Sequence, residues 1–289
     1  MGLRKRCMTG LLSWTLTQSC ASFAQELPEE PPAIPAQVTK DVDALPELPQ
    51  RFLGNAVSVL GAPASWDSKD WGHFALAVGA VVGTAVALDR PVQDAFQRNR
   101  TEGRDKVARK LENFGSSYAI ATAGGFYLAG LVGGDSEARA TGVDAISASL
   151  ITGAIIVPAL KHAIGRARPE EQQGPNFFKP SLHGDASFPS GHTTEAFTVA
   201  SVIAAHYENI WVQGTAYGLA SLAGLARLEQ NGHYASDVVA GALIGITVGR
   251  AVTRLNQRQR AIQHSKFQAF FVPDIRPGGY RGLQAGVVF

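Results

Sequence analysis

Three short stretches hold most of the side chains in this 289-residue chain that could do chemistry: KHAIGRARP at 161–169, PSGH at 189–192 and RLEQNGHYASD at 227–237. Within about eighty residues they bring together Lys161, Arg168, Arg227, His192, His233 and Asp237. Three permanent cations converging on one point need a polyanion between them, and phosphate fits. Two histidines supply what phosphoryl transfer otherwise lacks, a nucleophile and a proton donor. If the turn after His233 is helical, the step of four residues places Asp237 on the same face. A carboxylate there can hold one ring nitrogen and leave the other free to attack phosphorus. Pro189 and Ser190 read as the end of a loop, and Thr193-Thr194-Glu195 with the apolar run behind it as a helix start. Free backbone N–H groups near Ser190 and Gly191 would face an anion, and Gly191 has no side chain to block its approach.

Each stretch also has a plain structural reading. Lys161 and Arg168, seven residues apart, could complement the dipole at a helix end. Glu195 could satisfy a helix N-terminus, and a histidine four residues before an aspartate is often a surface pair. What favours chemistry is the occurrence of all three stretches in one chain.

The elements that must position these residues are mostly helical. Six apolar segments, at about 72–88, 117–133, 141–160, 193–206, 210–228 and 236–252, are rich in Ala, Gly, Leu and Val and long enough for helices. Turn signals such as Gly133-Gly134-Asp135 and Asn231-Gly232 separate them. A short amphipathic stretch at 51–62 precedes the set. At the C-terminus, over 256–289, Phe267 to Ile275 and Tyr280 to Phe289 lean towards β-structure around Arg276-Pro277-Gly278-Gly279, the pattern of a hairpin.

The N-terminus reads as an export signal over residues 1–24: a basic Arg4-Lys5-Arg6, a modest apolar run, and Ser22-Phe23-Ala24 before a cut. Cleavage there removes Cys7 and Cys20, so the mature chain would have no disulfide framework. Residues 25–50 are Pro- and acid-rich and read as an extended linker. A net charge of +2, with no basic stripe interleaved with aromatics, argues against nucleic acid as a partner. A mean hydropathy of +0.01 is low for a chain spanning a membrane six times, and several apolar segments lie near the lower limit of a span. Two arrangements follow: an inner-membrane protein, or an exported helical bundle associated with the membrane. The export signal is expected to place the chain in the bacterial envelope.

In order and spacing the three stretches resemble the type 2 phosphatidic acid phosphatase (PAP2) superfamily. That superfamily includes the class A acid phosphatases and the vanadium haloperoxidases. Its marks are K-x6-RP, PSGH and SR-x5-H-x3-D, and this chain matches all of them over about 70–255 except the last serine, which is Ala226. The resemblance implies an all-α bundle of about six core helices, with 51–255 as the phosphatase domain. It also implies hydrolysis of a phosphate monoester, a lipid phosphate or related envelope substrate being favoured, through a phosphohistidine. His233 becomes the nucleophile, Asp237 fixes its tautomer, and His192 protonates the leaving oxygen. Lys161, Arg168, Ser190, Gly191 and Arg227 become the phosphate-binding set, with no metal and no cofactor, since the cations do the charge work.

Ala226 in place of a serine that usually donates to phosphate would weaken binding by about 0.5–1.5 kcal/mol. A vanadate-dependent haloperoxidase and a non-catalytic anion-binding envelope protein are the alternative readings. The remaining histidines, His73, His162, His183, His206 and His264, match no motif. His183 lies in the loop between the first two motifs, within reach of a substrate. Gln172 to Phe178 in the same loop are expected to cover the pocket, but they name no head group.

Overall fold

The computed structural model describes Asp43 and residues 47–180, 186–264, 268–275 and 281–288, with side chains described through Ile262. The export signal, most of the linker, both cysteines, His183 and the side chain of His264 lie outside the described residues.

The described chain is all-α apart from its C-terminal strands. Helix α1 (Leu48–Gly61) covers the amphipathic stretch and begins earlier than expected because Pro49 suits a first helical turn. Helix α2 (Ser68–Ala87) opens with a reciprocal cap: Asp67 Oδ1 accepts from the amides of Lys69 at 2.8 Å and Asp70 at 2.9 Å, and Asp70 Oδ2 accepts from Asp67 N–H at 3.2 Å. Two short helices follow, α3 (Asp89–Arg98) and α4 (Glu102–Leu111). Both are charged and lack an apolar run, so the search for apolar segments passed over them.

Helix α5 (Ser117–Gly133) ends at Gly134, whose φ of 68° only glycine takes without strain. Asp135 then caps α6 (Ser136–Leu150) by accepting from Glu137 and Ala138 N–H. Helix α6 runs on through a π segment, Ile151–Ile156, into α7 (Val157–Ile164). Pro158 accounts for the widened turn: it has no N–H to donate, and its ring crowds the carbonyl four residues back. Helices α8 (Gly191–His206), α9 (Ile210–Glu229) and α10 (Ala235–His264) complete the bundle. The six apolar segments thus become α2, α5, the α6–α7 rod, α8, α9 and α10. Strands β1 (Gln268–Ile275) and β2 (Arg281–Val288) pair antiparallel with Gln268 opposite Val288, and the residues between them lie outside the described set.

The interior is built from small side chains, which lets helices approach closely. Gly241, Gly245 and Gly249 form a stripe on α10, where an added Cβ would lie 2.7 Å from Ser190 O, 2.5 Å from Thr194 O and 2.8 Å from Thr198 O. Helix α8 therefore lies directly on α10, as small-residue stripes allow. The outer surface is apolar over long stretches. No residue of α2 is buried, and Leu76, Val82, Val86, Leu131, Val132 and Trp211 are among many large exposed hydrophobics. Trp66, Trp71 and Phe74 cluster near the start of α2, the kind of aromatic group that sits at a membrane–water boundary. Among the described residues, three helical stretches are long and apolar enough to cross a membrane: Ser68–Ala87, Ser136–Ile164 and Ala235–Ile262.

The two ends of the bundle are chemically different. At one end Asp144, fully buried, accepts from Asn256 at 2.7 Å and Arg260 at 2.7 Å and sits 2.9 Å from His206 Nε2. Asp43 joins Arg51 and Arg260 there, so the start of the described chain and the far part of α10 share that end. A buried carboxylate with this many donors is compensated, whereas losing one partner would leave it costly. His206, which matched no motif, is thereby a structural residue. All three sequence motifs lie at the other end.

Candidate active site

The close packing of α8 on α10 brings the second motif to the third. Ser190 N–H donates to Asp237 O at 3.1 Å, which ties the start of α8 to the first turn of α10. Gly115 allows a further approach, since a Cβ there would fall 2.2 Å from the carbonyl of His192. The first motif arrives at the end of α7, which Gly165 closes in the left-handed region with φ 58°. A side chain at 165 would meet Lys179 O at 2.1 Å, because the chain folds back beside Arg166 and Ala167. The loop carrying Phe177 and Phe178 thus packs along the first motif, with both rings largely exposed.

The three expected cations all sit at this end. Lys161 Nζ donates to the carbonyl of Ala186, and Arg227 Nη1 donates to Glu112 and to Gln230 Oε1. Arg227 passes close over Gly232, where an added Cβ would lie 2.7 Å from Nη2. Arg168 is partly exposed, with Glu170 at 3.9 Å. Electrostatics links the cations to both imidazoles. Burial lowers the pKa of His192, and Arg227, Arg168 and Lys161 lower it further against the opposing pull of Glu112. Burial also pushes His233 down, to about 4, with Arg227 and Lys161 adding to the effect and Asp237 opposing it. Two of the cations therefore act on both histidines.

Several details differ from the sequence reading. His233 precedes α10 instead of lying in its first turn, so its nearness to Asp237 is not a helical i,i+4 relation. Asp237 Oδ2 accepts from Tyr234 N–H at 2.8 Å, and His233 Nδ1 lies 3.7 Å from it, beyond hydrogen-bond distance. Ser190 is fully buried, with its amide donating to Asp237 O and its Oγ 2.9 Å from Thr193 Oγ1, so it fixes the start of α8 against α10. Gly191 lines the cavity beside His192, where an added Cβ would make only an ordinary contact with Val157 at 3.7 Å. Ala226 is buried and lines a separate cavity of about 330 Å³, with Phe96, Arg104 and Val107, towards α4. Residue 227 carries the cation that acts on both histidines, while residue 226 lines the cavity on the α4 side of α9.

The sequence reading missed Arg166. Its side chain is 3% exposed and donates to Pro175 O at 2.8 Å, Ser236 Oγ at 2.7 Å, Asp237 Oδ1 at 2.7 Å and Asp89 Oδ2 at 2.6 Å. Its guanidinium lies 4.3 Å from the centroid of the Tyr234 ring. Asp89 in turn accepts from Ser236 N–H at 2.8 Å and Ser236 Oγ at 2.7 Å. Arg166 thus holds the carboxylate beside His233 from behind. The one signal for it was an extra arginine inside K-x6-RP. Asp89 and Glu112 had none, because their partners lie more than seventy residues away.

A cavity of about 590 Å³ opens beside His192, with apolar walls from α5, α6 and the π segment and with His192, Thr194 and Glu195 of α8 facing it. Among the described residues no group of three His, Cys, Asp or Glu side chains is placed to hold a metal ion.

Residues 144–261 match the sequence profile of the PAP2 superfamily. A lipid A 1-phosphatase of Porphyromonas gingivalis is 37% identical over 110 residues, which make up 37% of this chain and 21% of that protein. The chain therefore spans about a fifth of the length of that relative. Of solved structures, LpxE of Aquifex aeolicus superposes with a TM-score of 0.46 at 24% identity, over 58% of this chain and 96% of that one. The first transmembrane PAP2 type phosphatidylglycerolphosphate phosphatase from Bacillus subtilis superposes with a TM-score of 0.42 at 19% identity, over 73% of this chain and 94% of that one.

Proposed function

We propose, from the match of residues 144–261 to the PAP2 superfamily, that the chain is a member of it and a metal-independent phosphatase of a lipid-linked phosphate monoester. The observation that carries this reading is the shared field of Lys161 and Arg227 at His192 and His233. An anion seated among these cations would offset their share of the depression at both imidazoles, burial supplying the larger share. The apolar cavity beside His192 supports a lipid over a small soluble ester, as does the likeness to a lipid A 1-phosphatase.

Lys161, Arg168, Arg227 and the N–H groups at the start of α8 take the equatorial oxygens of the phosphate. His233, held neutral by burial, attacks phosphorus through its free ring nitrogen; the N–P bond forms as the ester P–O bond breaks. His192 gives its proton to the departing alcohol oxygen. It then takes a proton from water, whose oxygen forms the new P–O bond as the P–N bond breaks and inorganic phosphate is released. The substrate dianion offsets the cations around His192 and so favours its protonated form when it is needed. Asp237, anchored by Arg166 and the Tyr234 amide, stabilises the imidazolium that develops at His233.

The test is phosphate release by the purified chain across lipid and soluble phosphate esters, with and without EDTA, and acid-quench trapping of a phosphohistidine. Turnover unaffected by EDTA, with a phosphoenzyme absent in His233→Ala, is the expected result. Turnover that requires a divalent metal, or halide oxidation dependent on added vanadate with no phosphate release, would overturn it.

The site is proposed to face the periplasm. Asp43 and Arg260 meet at the end opposite the histidines, so six crossings would put the linker and the far part of α10 on one side and the site on the other. An outward site then requires the linker inside, which a leader cut at Ala24 does not allow. A bundle lying on the periplasmic face has no such conflict. Protease protection of the linker in intact spheroplasts separates the two arrangements.

A further inference from the structure

One buried polar group at this end plays no part in the mechanism above. Glu195 lies on α8 three residues after His192, about 4.5 Å further along the axis. Its Oε1 is buried and has no hydrogen-bond partner among the described residues. Its Oε2 lies 3.9 Å from the point where a Cβ on Gly153 would stand, against the π segment. Ser149 lines the cavity beside the carboxylate, and its Oγ makes no hydrogen bond of normal geometry there. Glu195, Ser149 and His192 line the same 590 Å³ cavity, whose other walls include Ile120, Ile146 and Leu150. A carboxylate oxygen left without a donor in an apolar cavity is costly unless something supplies one. Glu195 does not cap the helix start, since α8 has no side-chain cap hydrogen bond.

We infer that Glu195 and this cavity form a subsite for lipid phosphates that carry a hydrogen-bond donor close to the phosphorylated carbon. The donor is an amide N–H or a hydroxyl, and the acyl chain continues along Ile120, Ile146 and Leu150. The inference rests on the phosphatase reading for its orientation: His192 meets the ester oxygen, and Glu195, one helical step deeper, meets the next polar group of the same lipid. A diacylglycerol phosphate has only ester oxygens at that depth, and these cannot donate. A lysophosphatidic acid has a free hydroxyl, and a ceramide phosphate has an amide N–H and a hydroxyl. Glu195 therefore selects the donor-bearing lipids.

The experiment compares wild-type protein with Glu195→Gln and Glu195→Ala on phosphatidic acid, lysophosphatidic acid, ceramide 1-phosphate and p-nitrophenyl phosphate. Lipids are presented in mixed micelles at equal surface concentration. Glutamine keeps the shape, and no existing bond to Oε1 is lost, so both variants are expected to fold. The expected result is a loss of roughly tenfold or more in kcat/KM on the donor-bearing lipids for Glu195→Ala, with a smaller loss for Glu195→Gln. Rates on phosphatidic acid and p-nitrophenyl phosphate stay unchanged. A loss confined to lysophosphatidic acid assigns the donor as a hydroxyl, and one confined to ceramide 1-phosphate assigns it as the amide. Equal losses on all four substrates, or none on any, overturn the subsite. Binding to His233→Ala protein gives a readout independent of turnover: it should favour the donor-bearing lipids, and Glu195→Ala in that background should remove the preference while Glu195→Gln only weakens it. If the wild type releases no phosphate, the phosphatase reading fails, while the binding preference still decides the subsite.

Discussion

Arg166→Lys separates a positioning role from a binding role at this site. The guanidinium makes four hydrogen bonds of 2.6–2.8 Å to acceptors spread around its fork: Pro175 O, Ser236 Oγ, Asp237 Oδ1 and Asp89 Oδ2. A lysine ammonium carries the same charge at a single point and on a shorter reach, so it can keep about two of them. Losing two bonds that involve a charged donor, at about 1.5–3 kcal/mol each, partly offset by retained charge, comes to roughly 3 kcal/mol of stability. Two fully buried carboxylates would remain close together with a less well placed cation.

For activity, Asp237 keeps its bond to the Tyr234 amide but loses the anchor on its other oxygen, so His233 is held less well in line with phosphorus. A kcat loss of roughly 10- to 100-fold follows if that orientation contributes about 1.4–2.8 kcal/mol. KM and inhibition by inorganic phosphate should hardly change, because Arg166 is buried behind the histidine and the phosphate meets other cations. Steady-state kinetics on an aryl phosphate, phosphate inhibition and denaturant unfolding in the same detergent would check all three. A wild-type kcat in a destabilised protein, or a loss carried entirely by KM, would refute the positioning role.

His233→Asn should flatten the acid limb of stability. The native imidazole titrates at about 4 against an ordinary 6.5, so its contribution is full above pH 6.5 and is lost as pH falls towards 4. That contribution is about 3 kcal/mol, and the same unfolding slope in wild type and variant between those pH values would disprove it. His192→Ala should cost far more on alkyl than on aryl phosphates, since an activated leaving group needs little protonation; equal losses would remove the general-acid role. Glu112→Gln takes away the carboxylate that Arg227 now meets and should tighten phosphate inhibition by up to about tenfold, an unchanged constant showing that Glu112 does not compete with the anion. Ala226→Ser, at a buried position lining the cavity towards α4, should leave phosphate inhibition unchanged, and a tighter constant would return residue 226 to the anion site.

The sequence by itself determined everything that depends on short spacing. Six apolar segments became six long helical rods because composition and capping residues such as Asp135 act within a turn or two. Lys161, Arg168, His192, Arg227, His233 and Asp237 were legible for the same reason: their motifs are local, and each anchors to the end of one helix. What the sequence could not give was the partnering of groups far apart in the chain. Asp89 reaches Arg166 across 77 positions, and Arg260 reaches Asp43 across 217. Neither α3 nor α4 carries an apolar run, so nothing marked the residues that brace the site from outside it. Local spacing left two orientations open. His233 lies before α10 and not within it, and Ala226 faces α4 while Arg227 faces the site. Helical phase and helix start decide which way a side chain points, and both are set by packing: the Gly241-Gly245-Gly249 stripe fixes how closely α8 meets α10, and only that contact places the two histidines in one field.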